Sequence, residues 1–370
     1  MLIGIPLETV PGETRVAVTP ETARRLKAQG HTVRVQSGAG LAAAAPDSAY
    51  EAAGCEIADG AGAFGGELVL KVRSPRPEEL GLMRSGTVLV GMLDPFDREG
   101  LARLAAAGLT SFALEAAPRT TRAQSMDVLS SQANIAGYKA VIIAADRYPR
   151  LFPMLMTAAG TVKAARVVVL GVGVAGLQAI STAKRLGAVI EASDVRPSVK
   201  EQVESLGAKF IDVPYETVEE RKAAEGVGGY ARPMPPSWLE RQKVEVARRV
   251  AQADIVISTA LIPGRPAPLL VSEEMVHSMK PGAVIVDLAA AAGGNCPLTV
   301  PGQTVVRHGV TLVGETNLPS LVAADASALY ARNVLDFLKL IVTGSTFQLP
   351  ADDDIVAACL VTHNGEVKSA

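Results

Sequence analysis

The chain has few of the residues that build disulfide frameworks or metal sites. Among its 370 residues are 3 cysteines and 4 histidines, and the cysteines at positions 55, 296 and 359 lie far apart. Scattered thiols and imidazoles without chelating spacing predict neither a disulfide scaffold nor a metal site. We therefore expect free thiols in a reducing compartment and a cytoplasmic protein.

The sequence also lacks an excess of one charge and any long apolar run. It carries 36 basic and 38 acidic residues, a net charge of −2, without a basic tract that would bind a nucleic acid. Its longest apolar stretch, residues 167–177, is broken by glycines and is about half as long as a bilayer span. The first residues of the sequence predict a strand, so no secretion signal is indicated. With 48% hydrophobic residues, it reads as a soluble globular protein of two domains.

A strand, a glycine-rich turn and a helix follow one another in the middle of the chain. The β-branched run 166–170 predicts a buried parallel strand, and residues 177–186 predict a helix. Between them, Gly171, Gly173 and Gly176 have GxGxxG spacing. In such a turn the first glycine permits a tight bend, the second admits a pyrophosphate, and the third packs the helix against the strand. The pattern predicts a dinucleotide site at a helix N-terminus.

An acidic residue behind the next strand strengthens this prediction. Residues 188–192 read as a second strand, and Asp194 lies just past its end. A carboxylate about 20 residues beyond the glycines accepts hydrogen bonds from the adenosine ribose and repels a 2′-phosphate. The nearby Arg196 could welcome that phosphate, but Asp194 occupies the discriminating position. NAD(H) is therefore favoured over NADP(H).

The remaining sequence predicts an α/β fold of two Rossmann-like doubly wound parallel-sheet domains, the second inserted in the first and linked by long helices. The alternation of strands and helices before residue 117 predicts the first sheet, and long helical stretches at 128–145 and 327–340 link the domains. Residues 310–313 are the last predicted strand. We assign residues 1–127 and 317–370 to the N-terminal domain and 128–316 to the NAD(H)-binding domain. The glycine- and proline-rich segment 225–237 is a candidate lid.

Several long motifs resemble one known family. They are Arg119, Gln124 and Asp127 with Leu129-Ser-Ser-Gln-Ala-Asn-Ile-Ala-Gly-Tyr-Lys, the glycine turn, Thr259-Ala-Leu-Ile-Pro-Gly-Arg-Pro-Ala-Pro, Gly293-Gly-Asn-Cys and Asp353-Asp-Ile-Val. Together they are similar to the soluble NAD(H)-binding component of proton-translocating nicotinamide nucleotide transhydrogenases. The resemblance spans essentially the whole chain. Alanine dehydrogenases are related in fold and share the pattern at 11–20.

The resemblance implies roles for individual residues. Arg119, Gln124 and Asp127 would be the catalytic group, contacting the nicotinamide and its ribose with Ser130 close by. The remaining cofactor contacts would come from the turn and the segments around it: Gly171, Gly173, Val174, Ala175, Gly176, Asp194, Val195, Arg196, Gly229, Tyr230, Gln242 and Leu261. Plainer readings stay open, in which Arg119 or Asp127 forms an interdomain ion pair, Gln124 caps a helix and Tyr230 is a surface aromatic.

The implied activity is an NAD(P)⁺ transhydrogenase of the Si-specific/Re-specific, proton-translocating type. The chain would be a homodimeric subunit, held at the inner membrane by an NADP(H)-binding subunit and a membrane-spanning proton-channel subunit. An alternative is a free-standing alanine or amino-acid dehydrogenase. Against it, residues 92–95 lack the histidine that those enzymes need, and Ala291 replaces their aspartate, although Arg15 and Lys71 remain. A regulatory NADH-binding module and a structural interaction protein are further alternatives.

Overall fold

The computed structural model describes residues 1–225, 234–350 and 352–368. The chain forms two compact units, one of residues 1–132 with 319–370 and the other of residues 133–318. Each unit has its own β-sheet and its own apolar core.

The first unit begins with alternating strands and helices. The strands are β1 (Leu2–Ile5), β2 (Thr32–Gln36), β3 (Glu56–Ala58), β4 (Leu68–Arg73), β5 (Val88–Met92) and β6 (Thr110–Ala113). The helices are α1 (Pro20–Ala28), α2 (Asp47–Ala52), α3 (Gly60–Phe64), α4 (Pro77–Leu80) and α5 (Arg98–Ala106). Helix α6 (Val128–Arg147) begins in this unit, and its residues from 133 onward belong to the second unit. Helix α1 starts with a side-chain cap, in which the Thr19 hydroxyl accepts from the Thr22 N–H, and with Pro20 at its first position.

The second unit contains the glycine-rich turn. Its strands are β7 (Leu155–Thr157), β8 (Gly160–Val162), β9 (Arg166–Leu170), β10 (Val189–Ser193), β11 (Lys209–Phe210), β12 (Ile255–Ser258), β13 (Val284–Asp287), β14 (Thr304–Arg307) and β15 (Val310–Val313). Its helices are α7 (Val174–Arg185), α8 (Lys200–Ser205), α9 (Val218–Glu225), α10 (Pro236–Val250) and α11 (Glu273–Ser278). Seven strands pair in the order β11-β10-β9-β12-β13-β15-β14, parallel except for β14. The order reverses at β9, whose carboxyl end therefore opens into the crevice where doubly wound sheets bind ligands.

The chain then completes the first unit. The last elements are α12 (Ala323–Ile341), β16 (Val342–Thr343), β17 (Thr346–Phe347), α13 (Asp354–Cys359), β18 (Leu360–His363) and β19 (Glu366–Val367). Strands β18 and β19 extend the first sheet, whose order is β19-β18-β6-β5-β4-β1-β2-β3. The prediction that residues 310–313 are the last strand is therefore wrong. The tail strands are short and antiparallel, and β18 pairs with β6, about 250 residues earlier.

Two apolar cores fix these sheets. Side chains of β1, β4 and β5 are fully or almost fully buried and pack against α12 in the first unit. Strands β9, β12 and β13 are buried in the second, as expected for parallel strands covered on both faces. The expected fold of two Rossmann-like α/β domains is confirmed.

Candidate dinucleotide site

The glycine-rich turn joins β9 to α7 and leaves one open position. Gly171 has a φ of +91°, and a Cβ there would lie 2.7 Å from the Thr259 hydroxyl. A Cβ on Gly176 would lie 2.0 Å from the Gly171 carbonyl oxygen, so α7 passes too close for a side chain. A Cβ on Gly173 would meet nothing within 4 Å. The first and third glycines are therefore required by the fold, whereas the second borders open space.

Helix α7 presents its positive end at this open position. It starts at Val174, three residues before the predicted start, with Gly173 as an N-cap that has no side chain to bond the first turn. The first N–H groups of a helix have no partner within the helix. Val174, Ala175 and Gly176 supply these groups, and the first turn contains no acidic residue. The arrangement suits an anion such as a pyrophosphate.

Asp194 lies at the carboxyl end of β10 beside the turn. Its side chain is almost fully buried, and Oδ2 accepts the Val172 N–H at 2.7 Å. Its Oδ1 accepts the backbone N–H of Arg196 at 2.8 Å and the guanidinium Nε at 2.9 Å. The hydrogen bond to Asp194 raises the pKa of Arg196. The sequence suggests that these two residues oppose each other in choosing the nucleotide, but the structure joins them in one ion pair.

The other predicted residues of this unit lie around the same strand end or on nearby surface. Gln242, on α10, donates to the Ser193 hydroxyl at 3.2 Å and to the Asp194 carbonyl at 3.0 Å. Val195 and Leu261 are exposed apolar side chains, as a contact surface for a ligand requires. The predicted contacts Gly229 and Tyr230 lie outside the described residues.

In the first unit, the polar loop 118–127 presents two of its predicted contact residues to solvent. Arg119 and Gln124 are exposed, while Ala123 and Met126 are buried and hold the loop in the core. Asp127 caps α6, accepting the Ser130 N–H at 2.9 Å and the Ser130 hydroxyl at 2.6 Å. The sequence pattern does not predict this cap, which fixes both side chains at the start of the helix.

Long-range pairings that sequence reasoning misses anchor this loop. Arg122 forms two hydrogen bonds with Asp353, at 2.7 and 2.9 Å, and also pairs with Asp354. From α12, Asn333 donates to the Ser125 carbonyl at 2.7 Å. Asp353 also caps α13, which explains why the closing acidic motif stands out in the sequence.

Arg15 and Lys71, the two cations that the resemblance to alanine dehydrogenases draws attention to, are buried in the first unit. Arg15 bonds Glu13 through Nε at 2.7 Å and Nη2 at 2.6 Å. Burial tends to raise the pKa of Glu13, but Arg15 outweighs it and lowers the value to about 2. Lys71 lies 3.4 Å from Glu8, whose own pKa is raised by burial. Arg15 is thus hydrogen-bonded to a carboxylate of the same unit, whereas Lys71 Nζ lies 3.4 and 3.6 Å from the carboxylates of Glu8 and Glu79 and forms no hydrogen bond among the described residues.

Within the described ranges, no group of three or more histidine, cysteine or acidic residues is arranged to hold a metal ion. Nor is any helix in the described part of the chain long and apolar enough to cross a membrane.

The two doubly wound sheets and the glycine-rich turn define a protein of the Rossmann type, with a turn suited to a dinucleotide. The family models "Alanine dehydrogenase/PNT, N-terminal domain" and "Alanine dehydrogenase/PNT, C-terminal domain" match residues 4–136 and 140–370. The chain belongs to this alanine dehydrogenase/PNT family, which confirms the resemblance seen in its motifs.

Relatives within the family show which branch is nearer. A Rhodospirillum rubrum protein named as the first part of the NAD(P) transhydrogenase subunit alpha is 50% identical over 377 residues, covering 99% of this chain and 97% of the relative. The crystal structure of transhydrogenase from Sinorhizobium meliloti superposes with a TM-score of 0.91 at 48% identity, covering 100% of both chains. Alanine dehydrogenase of Bacillus subtilis is 32% identical, covering 99% of this chain and 92% of the relative. The transhydrogenase subunits are thus the closer of these relatives.

Proposed function

We propose that the chain is the NAD(H)-binding subunit of a proton-translocating transhydrogenase. It would bind NADH and present it for hydride transfer to NADP⁺ held by a separate subunit. The observation that carries the proposal is the near-complete match, at 50% identity, to a protein named as a portion of a transhydrogenase subunit alpha. An NADP(H)-binding subunit and a membrane-spanning proton-channel subunit would complete the complex and hold the chain at the inner membrane.

The residues of the second unit fit NAD(H). The open side of Gly173 gives a pyrophosphate room to approach the backbone, and the first N–H groups of α7 face no competing side-chain cap. The carboxylate of Asp194 suits ribose hydroxyls and repels a 2′-phosphate. Because Asp194 neutralises Arg196, the guanidinium does not offer an unpaired charge to NADP(H). We therefore assign NAD(H) to this site.

The cofactor itself supplies the chemistry, a hydride from C4 of the dihydronicotinamide. The chain has to orient the ring and exclude water, because transfer between two nicotinamides needs no acid, base or nucleophile at the transfer site. We assign this task to Arg119, Gln124 and Asp127. Their loop is anchored to α12 and α13, so its conformation is largely set before a nucleotide binds.

We further propose that the subunit is a homodimer. The hairpin of β7 and β8 is exposed on all its strand residues but one and carries Met154, Leu155 and Met156, of which Met156 is 72% exposed. Three neighbouring large apolar side chains in water are typical of a surface that a partner covers. A second copy of the chain is the occupant that the proposal assigns.

A stand-alone amino-acid dehydrogenase is less well supported. The two cations that would hold a keto acid, Arg15 and Lys71, are paired with Glu13 and Glu8. Position 94, in the segment where those enzymes place a histidine, holds an aspartate. The identity to an alanine dehydrogenase, 32%, is also lower than the identity to the transhydrogenase subunits.

Hydride exchange between NADH and an NADP⁺ analogue tests the proposal. We expect exchange only when the chain is mixed with an NADP(H)-binding transhydrogenase component, and its loss in Gln124→Ala. Ser125→Ala is the matched control, because the loop is bonded through the Ser125 carbonyl and this variant keeps that carbonyl. Alanine-dependent reduction of NAD⁺ by the chain alone, without exchange in the mixture, would reject the proposal.

A further inference from the structure

The segment after β12 crosses the carboxyl edge of the second sheet without helix or strand, and one buried side chain holds both of its ends. Asn295 is fully buried. Its Nδ2 donates to the Ala260 carbonyl at 2.9 Å and to the Pro268 carbonyl at 2.8 Å, and its Oδ1 accepts the Ala260 N–H at 3.2 Å. The side-chain amide therefore satisfies backbone groups of residues 260 and 268 that no helix or sheet satisfies. Leu261, a predicted cofactor contact, lies between these two residues.

Asn295 is itself fixed by the last residue of β13. Asp287 is almost fully buried, and its Oδ2 accepts the Asn295 N–H at 2.8 Å, the Cys296 N–H at 3.2 Å and the Thr299 hydroxyl at 2.7 Å. Gly294 completes the turn at a φ of +83°, where a Cβ would lie 2.9 Å from the same oxygen. Such a fully bonded buried network favours one conformation.

The braced segment reaches the glycine-rich turn through its first residue. The Thr259 hydroxyl donates to the Gly171 carbonyl at 2.9 Å. The Gly171 carbonyl oxygen would lie 2.0 Å from a Cβ on Gly176, so it lies at a close approach between strand β9 and helix α7. Hydrogen bonds thus connect Asp287 to Asn295 and Asn295 to Ala260, and the neighbouring residue Thr259 bonds the first glycine of the turn.

We propose that Asn295 is a positioning residue for the dinucleotide site, which fixes the segment 259–268 and, through Thr259, the glycine-rich turn. The inference rests on the proposed function, because it assumes that this turn binds NAD(H). It assigns a role to the Gly293-Gly-Asn-Cys motif, which the sequence singles out and the proposed hydride transfer leaves unused. Asn295 is fully buried and would act through the segment that it contacts.

The test is the isosteric variant Asn295→Asp, which replaces the donating amide by a group with oxygens facing two carbonyls. We expect NADH to bind about tenfold or more weakly, as for the loss of one or two buried hydrogen bonds. Hydrogen exchange of the amides at 260–262 should accelerate by a comparable factor. Thr299→Val is the matched control, because it removes a hydrogen bond to Asp287 and leaves every contact of Asn295 in place.

A second pair of variants keeps the proposal testable if Asn295→Asp folds poorly. Thr259→Val has nearly the same shape without the hydroxyl and should weaken NADH binding, whereas Thr259→Ser keeps the hydroxyl and should restore it. A purely structural role would lower the melting temperature of Asn295→Asp but leave its NADH affinity equal to that of Thr299→Val.

The outcomes separate this inference from the proposed function. If the native chain does not bind NADH, the proposed function fails. If the native chain binds NADH, and Asn295→Asp and Thr259→Val bind it equally well with unchanged exchange at 260–262, the positioning role is overturned.

Discussion

The second and third glycines of the turn should respond in opposite ways to one added methyl group. Gly173 has a φ of −83°, which alanine adopts easily, and its Cβ would meet nothing within 4 Å. The Gly173→Ala chain should therefore fold, losing about 1 kcal/mol because alanine is a poorer N-cap than glycine. The methyl group would occupy the space through which a pyrophosphate reaches the N–H groups of α7. We expect NADH binding to weaken by about 100-fold, corresponding to about 3 kcal/mol from lost charge-assisted hydrogen bonds.

Gly176→Ala provides the contrast. Its Cβ would lie 2.0 Å from the Gly171 carbonyl oxygen, a backbone atom, so α7 and β9 would have to separate by more than about 1 Å to restore ordinary van der Waals contact. We expect a loss of about 3 kcal/mol or more in the free energy of unfolding, the upper part of the range for overpacking. Urea unfolding and titration of NADH fluorescence measure both quantities. Full NADH affinity in Gly173→Ala would refute the placement of the pyrophosphate at this turn.

Three further predictions follow from ion pairs and a buried carboxyl group. Asp194→Asn should reduce the preference for NADH over NADPH by about 30-fold, since one charge near a 2′-phosphate is worth about 2 kcal/mol at intermediate dielectric. Isothermal titration with both nucleotides measures this preference. Adding Arg196→Gln to the variant should abolish its gain in affinity for NADPH. Burial raises the pKa of Glu115 from 4.5 to about 7. The contribution of the protonated carboxyl group to the free energy of unfolding is therefore complete below pH 4.5 and is lost as the pH rises through 7. Urea unfolding at about pH 5 and pH 8 measures this effect. Between these pH values the free energy of unfolding of the native chain should fall by up to about 3 kcal/mol more than that of Glu115→Gln, and an equal fall in both would contradict the prediction. Arg122→Gln should slow hydride exchange about tenfold by releasing the loop from Asp353, with a change in unfolding free energy below about 1 kcal/mol, and an unchanged rate would count against preorganisation.

The fold and the turn can be predicted because their signals are local in sequence. Buried parallel strands are apolar runs, and the glycine spacing reflects close approaches within a few residues, as Gly171 and Gly176 demonstrate. The sequence places the start of α7 too late because the glycines resemble turn residues, whereas the helix begins inside the motif at Val174.

The anchoring of the site cannot be predicted from spacing. Arg122 and Asp353 are 231 residues apart, and Asn333 reaches Ser125 across 208 residues. Such pairs depend on how the chain packs, which local patterns in the sequence do not reveal. The pairing of Asp194 with Arg196 escapes prediction for a different reason: the family resemblance assigns both residues to the ligand, although they stand only two residues apart and attract each other.

Isotope tracing tests the central claim most directly. NADH carrying deuterium at both C4 positions would be incubated with NADP⁺, the chain and an NADP(H)-binding transhydrogenase component. The account predicts that deuterium appears in NADPH without dilution by solvent protons, and only when both proteins are present, since the rings exchange the hydride directly. Deuterium-free NADPH, or transfer to NADP⁺ by either protein alone, would contradict it.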